Sequence, residues 1–125
     1  MDVPKKITRN EEITIAYFAF LDQHLANLIA GKETEMLEIN QIADRLFISA
    51  KHLSDTIQFT QGHHPCHFYD RKILDEAKRL MLETSLPIAE IARRLTYDPS
   101  NFSKFFKKYT GVTPGQFRST DQKPV

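Results

Sequence analysis

Apolar residues recur at helical spacing along most of this 125-residue chain, and proline, glycine and capping residues mark the breaks. The pattern is densest from Leu86 to Phe117. Pro87 stands near the start of one short helix carrying Ile88, Ile91, Ala92 and Leu95, and Thr96 and Tyr97 interrupt it. Asp98 then forms an N-cap with Pro99 at the first helical position, ahead of an aromatic stripe of Phe102, Phe105, Phe106 and Tyr109. A third helix opens at Pro114. Two short helices joined by a tight turn, with a small Ala92 where they approach, predict a helix-turn-helix unit.

Upstream, Ile15, Phe18, Leu21, Leu25, Leu28 and Ile29 predict an amphipathic helix over 11–30, stopped by Gly31. Residues 1–10 are expected to fray, and the acidic run KETEMLE after Gly31 reads as a loop. From Pro65 to about Thr84, Phe68, Tyr69, Ile73, Leu74, Ala77, Leu80 and Met81 predict a longer helix. At 1.5 Å per residue it would measure about 28 Å, comparable with the ~34 Å of one DNA turn.

The pattern occurs twice. Leu37–Phe68 set against Leu86–Phe117 at a constant offset of 49, without gaps, gives ten identities in 32 positions: Leu37/Leu86, Ile39/Ile88, Ile42/Ile91, Ala43/Ala92, Arg45/Arg94, Leu46/Leu95, Ser54/Ser103, Gly62/Gly111, Pro65/Pro114 and Phe68/Phe117. Glycine is scarce and alternating β-type runs are few, so the fold class is all-α: two helix-turn-helix subdomains of homeodomain-like type joined by a long helix. The organisation expected is 1–36 as tail, helix and loop packing on the first subdomain, 37–64 as the first helix-turn-helix, 65–85 as linker helix, 86–118 as the second helix-turn-helix, and 119–125 as a polar tail.

Charge sharpens this picture. The formal net charge is only +1, yet residues 1–70 hold six basic against ten acidic residues, whereas 71–118 hold ten against five. On the helix after Asp98, Ser100, Lys104 and Lys107 lie opposite the aromatic stripe, flanked by Asn101, Ser103 and Lys108, and a basic polar face of this size fits the DNA major groove. The competing class is a helical protein-interaction module without sequence-specific DNA binding, in which Phe102, Phe105 and Phe106 would meet a partner. A single Cys66 permits no internal disulfide and suits a reducing cytoplasm. No apolar run approaches a membrane span and no signal-peptide pattern opens the chain, so no membrane association is expected.

The runs IARRL and DPSNFSKFFKKYTGVTPGQFR resemble the C-terminal signature of AraC/XylS-type bacterial transcription regulators. IADRLFIS, HLS and RKILDEAKRLM resemble the first helix-turn-helix and linker helix of the same module, so the resemblance covers roughly 37–118. It implies sequence-specific promoter binding with two recognition helices in successive major grooves of double-stranded DNA. It also implies activation through RNA polymerase and a bacterial, nucleoid-associated cytoplasmic setting. In a longer parent chain, a sensor or dimerisation domain would attach at Met1 to Ala30. Three departures from the family pattern matter. Phe47 and Thr96 occupy turns where glycine is frequent, so either φ is positive there, with strain of about a kilocalorie or more, or the turn avoids that region. Asp55 stands where the second copy has Lys104. At His64 the hydroxyl cap is lost, whereas Thr113 supplies one in the second copy.

For the second unit the expected base readers are Ser100, Asn101, Ser103 and Lys104, with Lys107, Lys108 and Arg118 on phosphates. In the first, the matching positions are Lys51, His52, Ser54, Asp55 and Gln58, nearly neutral in sum. His63, His64, Cys66 and His67 suggest a zinc site by residue type, but Pro65 puts His63 and His64 in a turn, off the face of His67. No metal, no cofactor and no enzyme activity is expected, because neither a catalytic constellation nor a phosphate-binding glycine loop occurs.

Overall fold

In a computed structural model that describes residues 8–121, the chain folds into helices α1 (Arg9–Ile29), α2 (Ile39–Arg45), α3 (Ala50–Gln61), α4 (Pro65–Glu83), α5 (Ile88–Arg94), α6 (Pro99–Thr110) and α7 (Pro114–Asp121). No strand occurs among the described residues. The fold class is all-α with two helix-turn-helix units. Two compact units divide the chain: the first holds the described residues up to Gln23 together with Leu37–Asp70, the second His24–Met36 and everything described from Arg71 onward. Both α1 and α4 contribute to each unit.

The repeat is reproduced residue for residue. α2 and α5 begin and end at positions 49 apart, as do α3 and α6, and α4 and α7 both open at a proline. The turn itself explains the match. After α2, the Phe47 N–H donates to the Asp44 carbonyl at 3.1 Å and the Ile48 N–H to the Ala43 carbonyl at 3.1 Å. After α5, Thr96 N–H reaches Arg93 at 2.9 Å and Tyr97 N–H reaches Ala92 at 2.8 Å. This double bonding is the Schellman closure, which requires a left-handed residue just past the cap. Phe47 and Thr96 supply it at φ +61° and +66°, so of the two geometries open to these residues the chain adopts the strained one. The far ends of α3 and α6 close on Gly62 and Gly111 at φ +80° and +85°, where the residue suits the conformation.

In the first unit, Ile13, Tyr17 and Leu21 of α1, Ile42 and Ala43 of α2, Leu53 and Ile57 of α3 and Tyr69 of α4 are buried. The Tyr17 hydroxyl donates to the Pro65 carbonyl at 2.7 Å, and burial, followed by the neighbouring Cys66, Tyr69 and Asp70, pushes its pKa up. Phe18 meets the edge of Phe68 at 5.2 Å, and the Thr14 and Thr60 hydroxyls are 2.8 Å apart. The buried stripe of α1 thus runs through Ile13 and Tyr17, whereas Ile15, expected on that face, is 57% exposed. Residues 9 and 10, expected to fray, are helical, because the Thr8 hydroxyl accepts from the Glu11 N–H and its carbonyl from that of Glu12.

In the second unit, Leu25 and Leu28 of α1, Ile73, Leu74, Ala77, Leu80 and Met81 of α4, Ile91, Ala92 and Leu95 at α5, and Phe102 and Phe106 of α6 form the core. Phe117 of α7 meets Phe106 at 5.5 Å. Arg118 ties these parts together: Nε donates to the Met81 carbonyl at 3.1 Å, one terminal nitrogen to Leu86 at 2.6 Å and the other to Thr84 at 3.3 Å. These are carbonyls at the end of α4 and in the connection to α5, where helical partners run out. The polar tail expected from 119 is corrected in part, since α7 continues to Asp121. The remainder of that tail, 122–125, and the amino-terminal 1–7 lie outside the described residues.

The two prolines that open α4 and α7 are capped differently. Thr113 and Gln116 form a reciprocal pair, Gln116 N–H to Thr113 Oγ1 at 3.2 Å and Thr113 N–H to Gln116 Oε1 at 2.9 Å. At α4 the missing hydroxyl is replaced by an imidazole, with His64 Nδ1 accepting from the Cys66 N–H at 3.1 Å. His63 and His67, expected on different faces, in fact stack with ring centroids 4.2 Å apart and planes at 19°.

Three stability predictions rest on this geometry. Phe47 is 93% exposed and sacrifices no burial, so Phe47→Gly should stabilise by about 1 kcal/mol and raise Tm by about 3–6 °C; an unchanged or lower Tm in thermal unfolding would argue against turn strain. His64→Ala should cost about 1 kcal/mol and His64→Ser should restore most of it, measured by urea titration. Arg118→Ala should lose about 2–3 kcal/mol, and Arg118→Lys should recover little because a point charge cannot fork to three carbonyls. A fully stable Arg118→Ala protein would show that the clamp contributes nothing.

Candidate nucleic-acid interface

Each recognition helix is positioned by the turn before it and by its own cap. Ser49 Oγ accepts from the His52 N–H at 3.0 Å to start α3. Asp98 Oδ2 accepts from Ser100 and Asn101 at 3.0 and 3.3 Å to start α6. The buried stripes, Leu53, Thr56 and Ile57 on α3 and Phe102 and Phe106 on α6, fix which face points outward.

On α6 the outward face carries Ser100, Asn101, Lys104, Lys107 and Lys108, all exposed, with Ser103 half-buried. The Lys108 ammonium lies 5.7 Å from the Tyr109 ring, within cation–π range. The helix thus gathers three lysines and three short polar side chains on one solvent-facing surface, away from its aromatic core. Arg118 does not join them. Its guanidinium is engaged with backbone carbonyls behind α7, so the phosphate role expected of it is replaced by a structural one. No local signal announced this, because its partners lie 32 to 37 residues away in sequence.

On α3 the outward face carries Lys51, His52, Asp55 and Gln58, exposed, with Ser54 half-buried. Its electrostatics differ from those of α6. Lys51 Nζ is 2.9 Å from Asp55 Oδ2, one helical turn away, and the carboxylate raises the Lys51 pKa through its hydrogen bond first and its charge second. The four-residue spacing was visible in the sequence, but its meaning was hidden behind the comparison of Asp55 with Lys104. Phe59, at the place of Lys108, is 80% exposed, which the repeat also displayed without marking it as notable.

The aromatic stripe of α6 separates into two sets. Phe102 and Phe106 are fully buried, whereas Phe105 stacks on Tyr97 at 5.1 Å and 21° and touches Tyr109 at 5.1 Å. Two of the three rings that the protein-interaction reading requires, Phe102 and Phe106, are therefore withdrawn into the core. A groove of about 390 Å³ lies in the second unit, lined by Leu28–Gly31, Glu33, Thr34, Glu90, Arg93, Arg94 and Thr96, with no α6 residue among them. Among the described residues no group of three or more His, Cys, Asp or Glu could hold a metal ion, and no helix is long and apolar enough to cross a membrane.

Known proteins share this arrangement. Residues 42–120 match the family described as a helix-turn-helix domain. The arabinose operon regulatory protein of Escherichia coli is 27% identical over 107 residues, which are 85% of this chain and 34% of that protein. The C-terminal domain of AraT, a response regulator from Geobacillus stearothermophilus, superposes with a TM-score of 0.75 at 30% identity, over 93% of this chain and 88% of that one. The DNA-binding domain of AdpA, solved with a target DNA, has the same fold at a TM-score of 0.65 and 20% identity, over 77% and 90% of the two chains. The chain spans 14 to 34% of the length of the first curated relatives it matches. A double helix-turn-helix repeated at a fixed offset, matched along most of its length, places the chain in the AraC/XylS-type family of transcription regulators.

Proposed function

We propose that this chain is the DNA-reading part of a bacterial transcription activator, binding duplex DNA sequence-specifically through α3 and α6. The observation that carries the reading is the pair of outward faces. Two helices of 12 residues, begun by the same kind of turn, each bury one stripe and turn toward solvent the short polar and cationic side chains that groove recognition uses. Ser100, Asn101, Ser103 and Lys104 are suited to base edges and Lys107 and Lys108 to phosphates. Lys51, His52, Ser54, Asp55 and Gln58 form the corresponding surface of α3. Because the units are direct repeats with unlike outward residues, the expected site is two different elements in the same orientation, without palindromy.

Activation adds RNA polymerase as a partner, and the short share of its relatives' length that the chain covers supports a sensor or dimerisation domain in the parent protein. Work on chromosomal promoters sets the protein in the bacterial cytoplasm.

The two units should divide the binding free energy unequally. Lys104→Ala should reduce the slope of log K against log salt by about 0.9, the value of one phosphate contact. Lys51→Ala should change it by much less, since Asp55 already neutralises that lysine. Filter binding or fluorescence anisotropy on duplex DNA between low and physiological salt measures both, and an equal or larger loss at Lys51 would refute the division. Selection from a random duplex pool tests specificity itself, and a pool that yields no consensus would sink the reading.

A further inference from the structure

The outward stripe of α3 is centred on an ion pair. At 100° per residue, Lys51, Asp55 and Gln58 share one line along the helix, opposite the buried Leu53 and Ile57. Lys51 and Asp55 are 85% and 63% exposed, so neither is held by the core, and their 2.9 Å contact leaves both free to face a ligand together. The repeat isolates this feature: at the same two places α6 has Ser100 and Lys104, a combination that cannot form an ion pair.

A surface pair of this kind adds little to stability, so its position in the middle of the outward face calls for another role. Against a bare phosphate backbone the pair works as a brake. The carboxylate is repelled, and it offsets the charge with which the ammonium would attract a phosphate. Against base edges the same two groups present one acceptor and one donor about a hydrogen-bond length apart. A C·G pair displays the complementary pattern in the major groove, with cytosine N4 as donor and guanine O6 and N7 as acceptors.

We propose that Asp55, held with Lys51, is the specificity-determining residue of the first unit, selecting one C·G base pair in its element while suppressing nonspecific binding. The carboxylate accepts from cytosine N4, Lys51 donates to the guanine edge of the same pair, and the two charges are satisfied together. At A·T the adenine N6 donor and thymine O4 acceptor keep the same order, but a thymine methyl stands where guanine has N7, so Lys51 has one acceptor in place of two; at the reversed pairs donor and acceptor change places. This inference rests on the DNA-binding reading above and deepens it.

Asp55→Ala, Asp55→Glu and the double variant Lys51→Ala/Asp55→Ala test it. The site is exposed, so these proteins should fold, which circular dichroism melting verifies. Asp55→Ala should bind random-sequence duplex about 3–10 times more tightly than the parent at low salt and steepen the salt slope by about 0.9, as one lysine becomes available to phosphate. The double variant should lose that gain. In selection from a random duplex pool, the parent should retain one invariant C·G pair in one element, Asp55→Glu should keep it, and Asp55→Ala should not. An Asp55→Ala protein with the parent's base profile, or with an unchanged salt slope, overturns the proposal while leaving the DNA-binding reading intact. A parent protein that selects no consensus overturns both.

Discussion

The structure depends on one backbone constraint used twice: the turn that follows α2 and α5 must close its last carbonyls, and it can do so only through a left-handed residue. With Ala43 and Ala92 accepting from the second residue beyond the cap, the chain reverses at once, and the cap of the next helix falls only one residue later, at Ser49 and Asp98. The start of each recognition helix is thereby set by main-chain hydrogen bonds. Its outward side chains take no part in holding it there, which leaves them open to vary with whatever the helix must read. Phe47 and Thr96 meet the constraint without being glycine, and the strain they carry measures how strongly the surrounding turn imposes it.

Within that shared frame the two units solve the packing of their recognition helices differently. α3 uses Leu53 and Ile57 with Thr56 and closes its edge through Thr60, whose hydroxyl bonds to the Thr56 carbonyl and approaches Thr14 of α1. α6 has phenylalanine at both core positions, and Tyr97, Phe105 and Tyr109 cover its flank with rings of its own subdomain. An aromatic flank needs no neighbouring hydroxyl to satisfy it. On the threonine flank the buried Thr14 of α1 lies 2.8 Å from the Thr60 hydroxyl, a further partner beside the Thr56 carbonyl.

That polar residue is also why the register of α1 was not legible in the sequence. Ile15, Phe18, Leu21, Leu25, Leu28 and Ile29 make an acceptable helical stripe; the buried one shares Leu21, Leu25 and Leu28 but opens with Ile13 and Tyr17, and Thr14 and His24 within it disguise its start. Elements, caps and turns are readable because each is a local matter: Pro99 after Asp98, and Gly62 and Gly111 at their helix ends, act within a few residues, and the constant offset of 49 displays the same local signals twice. At Phe47 and Thr96 the local sequence allows two geometries, and the turn hydrogen bonds select the one with positive φ. Arg118 and His64 were misread because their partners decide their roles. An arginine near a lysine-rich helix looks like a phosphate ligand until three carbonyls 32 to 37 residues away claim it, and an imidazole before proline looks like a lost cap until its Nδ1 is seen to accept.

The outward faces carry the last consequence. A reader made of two identical units would be pulled equally by any stretch of duplex, since phosphate attraction is blind to sequence. The chain instead joins a unit with lysines at 104, 107 and 108 to one whose outward lysine is already bonded to a carboxylate. On the proposed reading, attraction concentrated in one unit would shorten the search for DNA, and the ion pair in the other would make the first unit a poor phosphate ligand and therefore a better judge of bases. An uneven charge distribution under an even backbone would thus separate holding from reading. The separation would be lost if Asp55 and Lys104 carried the same charge.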